Sequence, residues 1–364
     1  MRFLIFSDLH IHSHPDFDVQ VDHVSSRLMD CLNVLDKVKE YYDKYQCEAV
    51  LFCGDMFHVP RAVETSVYEP AFRRLEQLTE NVERFITIAG NHDKSDVTRG
   101  GPGYSSVYPV SRLSNSHVIS RQVEQIQIGN IKIGGIPYIK DPDEFTASIK
   151  RFKDSDILLG HCDLKEAVNG PNEIRLKDAW PVKKLMGAGS YLFLGHHHHP
   201  QRLNKRAVVV GSPIQHNMLD RGDNRGLIIF DSDTKKLKRI WLKFSRFFLF
   251  DIESKEKLDW FLDQEWERGI ENGYVRFIFR FNPGRDVISR IEEQLEAMKV
   301  RGKELKTQRA PLNSMRNEKL TLELSKSNDF KSSIPGYIDH VKPTGLNRKR
   351  LIKIGQQILE EAEY

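Results

Sequence analysis

The amino-acid sequence predicts an α/β fold in which β-sheets pack on each other with helices outside. Three observations carry that expectation. Short apolar runs alternate with amphipathic stretches at the start, strand patterns dominate after about residue 105, and a smaller helix–strand–helix pattern restarts beyond Lys255. Taking the elements in order, Arg2 to Ser7 is a continuous apolar run, repeated at Glu48–Cys53, Arg84–Ala89, Asp156–Leu159 and Tyr191–Leu194. Uninterrupted runs of this length mark strands buried on both faces. Between the first two, Val24 to Tyr45 sets Leu28, Cys31, Leu32, Leu35, Val38, Tyr42 and Tyr45 at helical spacing. A second helix is expected over Val63–Leu78, with Pro70 interrupting or kinking it. Further strands are expected at Ile131–Ile133, Ala207–Val210, Gly226–Phe230 and Leu237–Leu242.

A boundary is expected near Ser245–Lys255. Beyond it a helix (Lys257–Trp266), a strand (Tyr274–Phe281) and a helix (Val287–Met298) make a small α+β unit. Gly302 to Lys331 is polar and basic and reads as a linker. Leu346 to Ala362 places Leu351, Ile354, Ile358 and Ala362 on one face, an amphipathic helix with too little around it to bury that face. The expected division is therefore 1–245, 246–300, 301–342 and 343–364.

Composition narrows the class. The 364 residues carry 55 Lys+Arg against 51 Asp+Glu, and 39% are hydrophobic, which excludes wholesale disorder and allows two or three domains. No run of about 18 apolar residues occurs, and the first charges come too early for a signal-peptide core, so a cytoplasmic, membrane-free protein is expected. Cys31, Cys47, Cys53 and Cys162 form no C-x-x-C pair and read as buried free thiols. A net charge of +4 neither requires nor opposes a nucleic-acid partner. The 14 histidines carry more information.

Each of the strongest strand patterns ends in hard metal ligands. They are Asp8-Leu9-His10, Gly54-Asp55-Met56-Phe57-His58, Gly90-Asn91-His92-Asp93, Gly160-His161 and Gly195-His196-His197-His198. Carboxyl ends of strands in an α/β sheet converge on one edge, so five of them can aim these side chains at one cavity. Two divalent ions about 3.5–4 Å apart can share one carboxylate and clamp the oxygens of an in-line phosphoryl displacement. Mixed nitrogen and oxygen donors favour Mn-like ions, with Mg also compatible, and the absence of Cys argues against structural zinc. Glycine before each cluster lets backbone, metal and substrate approach closely. Any one cluster alone is commonly incidental. The ordered set of five is what carries the expectation.

That set, D-x-H, GD-x-x-H, GNHD, GH and GH-x-H, resembles the calcineurin-like metallophosphoesterase superfamily over residues 1 to about 215. The resemblance implies a two-sheet αββα sandwich with a two-metal site. The GD-x-F-H form, Leu194 to Gln201, and Val210-Gly-Ser-Pro-Ile-Gln215 are similar to the SbcD-type DNA repair and recombination nucleases of bacteria and bacteriophages. Their architecture implies a small α+β capping domain and a C-terminal helix that grips the coiled-coil base of an SbcC-type ABC ATPase, in a homodimer within a heterotetramer. Carried over by position, Asp8, His10, Asp55 and His198 hold one ion. Asp55, as the bridge, with Asn91, His161 and His196, holds the other. His92 is implied as the residue protonating the leaving oxygen, and His58 as the one orienting the scissile phosphate. Asp93 is read as a partner supporting a histidine ring, His197 and His199 as non-ligands, and His12 and His14 as lining the entrance.

The implied activity is Mn-dependent 3′→5′ exonuclease and single-strand endonuclease action on DNA. Phosphate contacts need Lys or Arg on one face, and the candidates are Lys94, Arg99, Arg112, Lys140 and Arg202. Two other readings stay open: a small-molecule phosphodiesterase or phosphatase on the same core, and a scaffold that has lost its metals. The capping unit and amphipathic tail count against the first, the complete ligand set against the second.

Overall fold

A computed structural model describes residues 1–21, 24–59, 62–95, 104–152, 154–168, 179–262, 269–308 and 348–354. The chain begins with β1 (Arg2–Phe6), the antiparallel pair β2 (Gln20–Val21) and β3 (Val24–Ser25), then α1 (Ser26–Tyr45), β4 (Ala49–Phe52), α2 (Thr65–Glu80) and β5 (Phe85–Ile88). It continues through β6 (Ser116–Ile119), β7 (Glu124–Ile128), β8 (Ile131–Ile136), α3 (Pro142–Ile149), β9 (Ser155–His161), α4 (Val182–Leu185) and β10 (Gly189–Gly195). Next come β11 (Gln201–Arg202), β12 (Ala207–Val209), β13 (Gly226–Asp231) and β14 (Lys236–Trp241). The last described elements of this unit are β15 (Phe247–Ile252), α5 (Lys255–Leu262), β16 (Tyr274–Phe279), α6 (Arg285–Ala297) and β17 (Gly302–Thr307).

Two six-stranded sheets, ordered β14-β13-β1-β4-β5-β6 and β11-β12-β10-β9-β8-β7, form the core. In each, four consecutive strands run parallel: β1, β4, β5 and β6 in one, β12, β10, β9 and β8 in the other. Strand alternation builds the layers. Phe3 and Ile5 of β1 join Leu51, Ile86, Ile157, Leu159 and Phe193 in a core between the sheets. Leu4 and Phe6, pointing the other way, pack with Leu28, Leu35 and Val38 of α1 and Leu75 of α2. On the far side Leu158, Leu192 and Leu194 pack with Phe145 of α3 and Val182 of α4. Helix, sheet, sheet and helix thus stack in the order that continuous apolar strands require, since both faces of the central strands β1, β4, β5, β9 and β10 are covered.

Helix α1 starts where the Ser25 hydroxyl accepts a 3.1 Å hydrogen bond from the Leu28 amide, and ends at Gln46 in a left-handed conformation (φ 50°). Its buried stripe of Leu28, Cys31, Leu32, Leu35, Val38 and Tyr42 follows the predicted spacing. Helix α2 is not interrupted at Pro70, which lies inside it. Proline there leaves the Ser66 carbonyl without its donor, but Ser66 is exposed, where water can meet it.

Beyond β14 the chain forms a smaller, three-stranded sheet, ordered β15-β16-β17. Strand β15 occupies the expected boundary, because Phe247, Phe248, Leu249 and Phe250 pair in parallel with β16. Strand β17 occupies the start of the expected linker and completes the three-stranded sheet. With α5 and α6 it encloses Ile252, Leu258, Val275, Phe277, Phe279, Ile291 and Leu295. Residues 1–306 form one compact unit, and a second comprises Thr307–Tyr364. Within the second, 348–354 is helical, and the remainder of the expected Leu346–Ala362 helix lies outside the described residues. Among the described residues no helix is long and apolar enough to cross a membrane. All four cysteines are free and buried.

Candidate metal centre

The clusters follow the carboxyl ends of β1, β4, β5, β9 and β10, so parallel strands in both sheets deliver them to one edge. Turning sharply there strains the backbone. Asp8 (φ 53°), His10 (φ 44°), Asp55 (φ 60°) and His196 (φ 85°) all sit in left-handed conformations that non-glycine residues avoid. Backbone bonds hold them: the Asp8 amide donates to the Gly54 carbonyl at 2.9 Å and the His10 amide to the Asp55 carbonyl at 3.0 Å. The glycines matter sterically. A Cβ on Gly90 would land on the Asp55 carboxylate, and one on Gly195 would strike the Cys53 carbonyl and the Ser7 hydroxyl.

Four groups of possible donors result among the described residues, and two of them consist of the expected ligands. Ligand atoms of Asp8, His10 and His198 lie within 4.8 Å of one another, as do those of Asp55, His161 and His196. Asn91 joins the second group, its Oδ1 lying 3.0 Å from His161 Nε2 and 2.9 Å from His196 Nδ1. Asp55 reaches both, with Oδ2 at 3.2 Å from His161 Nε2 and 3.5 Å from His10 Nε2.

Hydrogen-bond partners on the far side of each ring assign the tautomers. His161 Nδ1 donates to the Cys53 carbonyl (2.8 Å), His196 Nε2 to Asp163 Oδ1 (2.7 Å), and His198 Nδ1 to Asp220 Oδ1 (3.2 Å). In the neutral rings the opposite nitrogens then carry lone pairs turned towards the oxygens of Asp55 and Asn91 and, 3.0 Å from His198 Nε2, towards His10 Nε2. A lone pair facing an acceptor is relieved by a proton or by a cation between them, and a metal ion can take the proton's place. Asp8 Oδ2, buried and without a hydrogen-bond partner among the described residues, points to the same need. The donor set therefore fits a pair of divalent ions.

Charge balance agrees. Burial opposes charge on His161, yet the Asp55 carboxylate outweighs it and raises the imidazole to about 9. Burial likewise works against ionised Asp55, but His161, His92 and His196 hold its carboxyl down at about 2. Burial and the surrounding imidazoles push His10 well below the ordinary histidine value, which leaves it a neutral ligand.

His58 and His92 lie beside these donors and, with His10, form a further group whose ligand atoms lie within 4.8 Å of one another. The His92 amide donates to Asp55 Oδ1 at 2.8 Å, and its ring is 4.8 Å from that of His10. His92 Nδ1 donates to the His58 carbonyl at 2.6 Å, which leaves Nε2 as the atom able to meet a substrate. The His58 ring stacks on that of His92 at 5.4 Å, and burial with the His92 charge lowers it to about 4.

Several expectations are corrected here. Among the described residues Asp93 meets backbone amides and no histidine ring. Its carboxylate accepts from the amides of Asp55 (2.8 Å), Met56 (2.9 Å), Phe57 (3.0 Å) and Gly90 (2.9 Å), so it shapes the loop that carries the bridging carboxylate. Asp93→Ala leaves four buried amides without an acceptor and is expected to cost about 3 kcal/mol or more in chemical denaturation. A wild-type denaturation midpoint in that variant would remove the role. Lys94, a candidate DNA contact, is 7% exposed and donates to the Tyr138 carbonyl at 2.8 Å, so it is turned away from solvent. His14 does not line an entrance, being buried with Nε2 3.0 Å from the His10 carbonyl.

Arg112 and Lys140 are exposed. The Arg202 guanidinium is spent on the carbonyls of Asn204 and Lys205. Arg99 lies outside the described residues. His197 is buried and accepts from the Leu164 amide at 3.0 Å, while His199 pairs with Asp223. His12 is half-buried, its ring 5.4 Å from that of His58. Sequence reasoning missed the residues that hold the rings, Asp163 and Asp220, and it missed His216, whose Nε2 lies 2.9 Å from the Asp8 carbonyl. Only the Gly211–Gln215 motif just before His216 hinted at that loop.

Comparison with known proteins is consistent with this geometry. The calcineurin-like phosphoesterase family model matches residues 1–200. No curated protein matches the chain. Among solved structures, a phosphoesterase from E. coli, Yfce, is similar at 15% identity and a TM-score of 0.31, over 67% of this chain and 100% of its own. A dimetal phosphatase from Danio rerio is similar at 9% identity and a TM-score of 0.37, over 63% of this chain and 91% of its own. Both TM-scores fall below 0.5, so the assignment rests on the sequence match, which takes in the motifs of β1, β4, β5, β9 and β10 that assemble the centre. On that match the chain belongs to the calcineurin-like phosphoesterase family, metal-dependent phosphoester hydrolases that typically work with two divalent ions.

Proposed function

We propose that the chain is a Mn-dependent DNA phosphodiesterase, the nuclease subunit of an SbcCD-like complex, acting as a 3′→5′ exonuclease and a single-strand endonuclease. The observation that carries the reading is the convergence of seven donors, Asp8, His10, Asp55, Asn91, His161, His196 and His198, beside His58 and His92, which the reading assigns to the substrate and not to the metals. The GD-x-F-H and Gly-Ser-Pro-Ile-Gln motifs, and a capping sheet next to the phosphoesterase core, favour a nuclease over a small-molecule hydrolase.

When bound, two divalent ions supply Lewis-acid neutralisation of the charge that develops on the phosphoryl oxygens and ease deprotonation of the attacking water. The chain's residues do the rest. Asp55 lies between the two donor groups and fixes their separation. Four amide bonds to Asp93 hold the loop carrying it, so the site is organised before substrate arrives. His92, as imidazolium, keeps Nδ1–H on the His58 carbonyl and gives its Nε2 proton to the departing 3′ oxygen. The His58 ring stacked on it orients the phosphate.

A plasmid-cleavage assay with Mn or Mg, run beside an aryl phosphodiester, tests the substrate. DNA should be cut with Mn. Hydrolysis of the small ester with DNA intact at every metal would sink the nuclease reading in favour of a small-molecule hydrolase. The proposed partner is a coiled-coil ABC-type ATPase, docked through residues 346–364. Deleting them should abolish co-purification with that ATPase and leave cleavage of single-stranded DNA unchanged.

A further inference from the structure

We infer that Arg27 is a positioning residue through which the capping sheet sets the affinity of one of the two ions, the one held by Asp8, His10 and His198. The inference rests on the two-ion reading above. Arg27 lies in the first turn of α1 and is 1% exposed, although it carries a charge. On the capping side its guanidinium carbon sits 4.7 Å from the ring centroid of Tyr274 and 4.9 Å from that of Phe247, a cation set against two adjoining aromatic rings. On the core side Nη1 donates to the Asp16 carbonyl at 3.0 Å and Nη2 to the His216 carbonyl at 2.9 Å.

His216 is where the link divides. Its ring Nε2 lies 2.9 Å from the Asp8 carbonyl, and its own amide donates to Asp220 Oδ2 at 2.9 Å. Asp220 in turn accepts from His198 Nδ1 and so aims that ligand. The His216 ring also packs edge-on against His10, centroids 5.3 Å apart. One loop therefore touches all three ligands of one group. The other group is held differently: His161 by the Cys53 carbonyl and His196 by Asp163. Capping residues grip the same loop again, since the Phe247 amide donates to Gln215 Oε1 at 2.7 Å and Met218 packs with Phe247 and Tyr274. A shift of the capping sheet moves Arg27 and this loop together, and the ion beside Asp8 and His198 registers it.

Supporting partners of metal ligands typically alter affinity by 10–100-fold. The test is Mn titration of the metal-free full chain, read by calorimetry and by the electron paramagnetic signal of the bound ions. Arg27→Lys keeps the charge and loses the fork, and Phe247→Leu removes one aromatic face from the capping side. Each should retain one ion at wild-type affinity and weaken the other by about tenfold or more. The remaining signal should match that of His198→Ala and not that of His161→Ala. Equal weakening of both ions, or no weakening in a folded variant, overturns the link alone. A wild type that binds fewer than two ions overturns the two-ion reading with it, so the two failures are distinct.

Discussion

Asp55→Ala is expected to lose both ions and to lower phosphodiester hydrolysis on the order of 10³-fold or more, about 4 kcal/mol of barrier. The Asp55 carboxylate lies against both donor groups, 3.2 Å from His161 Nε2 and 3.5 Å from His10 Nε2. Its removal also frees the His92 amide, which loses its 2.8 Å acceptor, and cancels the charge that keeps His161 cationic when no metal is bound. Asp55→Asn preserves shape but loses the charge two cations require, so it should fail nearly as completely. Metal content and turnover are measured on the same samples. An Asp55→Ala protein that still carries two ions per chain would show that the carboxylate is not the bridge.

His92→Ala separates binding from chemistry. Both ions should remain, because Nδ1 of His92 donates to the His58 carbonyl and the seven proposed ligands do not include it. Turnover should fall by roughly 10²–10⁴-fold, the usual worth of a positioned proton donor. The loss should shrink with a substrate whose leaving group needs no proton, such as a nitrophenyl ester, and that contrast separates proton delivery from general damage. Loss of metal in parallel with activity would make His92 a ligand instead.

The layered core was legible because its strands are continuous apolar runs, and only a strand covered on both faces tolerates that pattern. Phe3 and Ile5 turning to one face while Leu4 and Phe6 turn to the other is the spatial form of the same run. The clusters were legible for a related reason, since parallel strands put their carboxyl ends on one edge. What could not be read was the support behind the rings. Asp220 lies 22 residues beyond His198 and Asp163 lies 33 before His196, and neither stands in a pattern that marks it. Asp93 was read from its neighbours in sequence as a histidine partner, but the closely turned backbone after β4 offers it amides instead. Likewise Phe247–Phe250 fell within the expected boundary because it separates two patterned regions. Pairing with β16 makes it a strand, a contact that local periodicity does not contain. Lys94 shows the limit of charge counting, since a lysine next to a metal motif is here buried to tie Tyr138 in place.

The most direct test is a count of ions in the wild-type protein after equilibration with Mn and removal of excess, by elemental analysis, with magnetic coupling read from the same sample. The donor geometry calls for two ions per chain, close enough to couple through a shared carboxylate. One ion, none, or two that behave independently in a folded wild-type chain would contradict it.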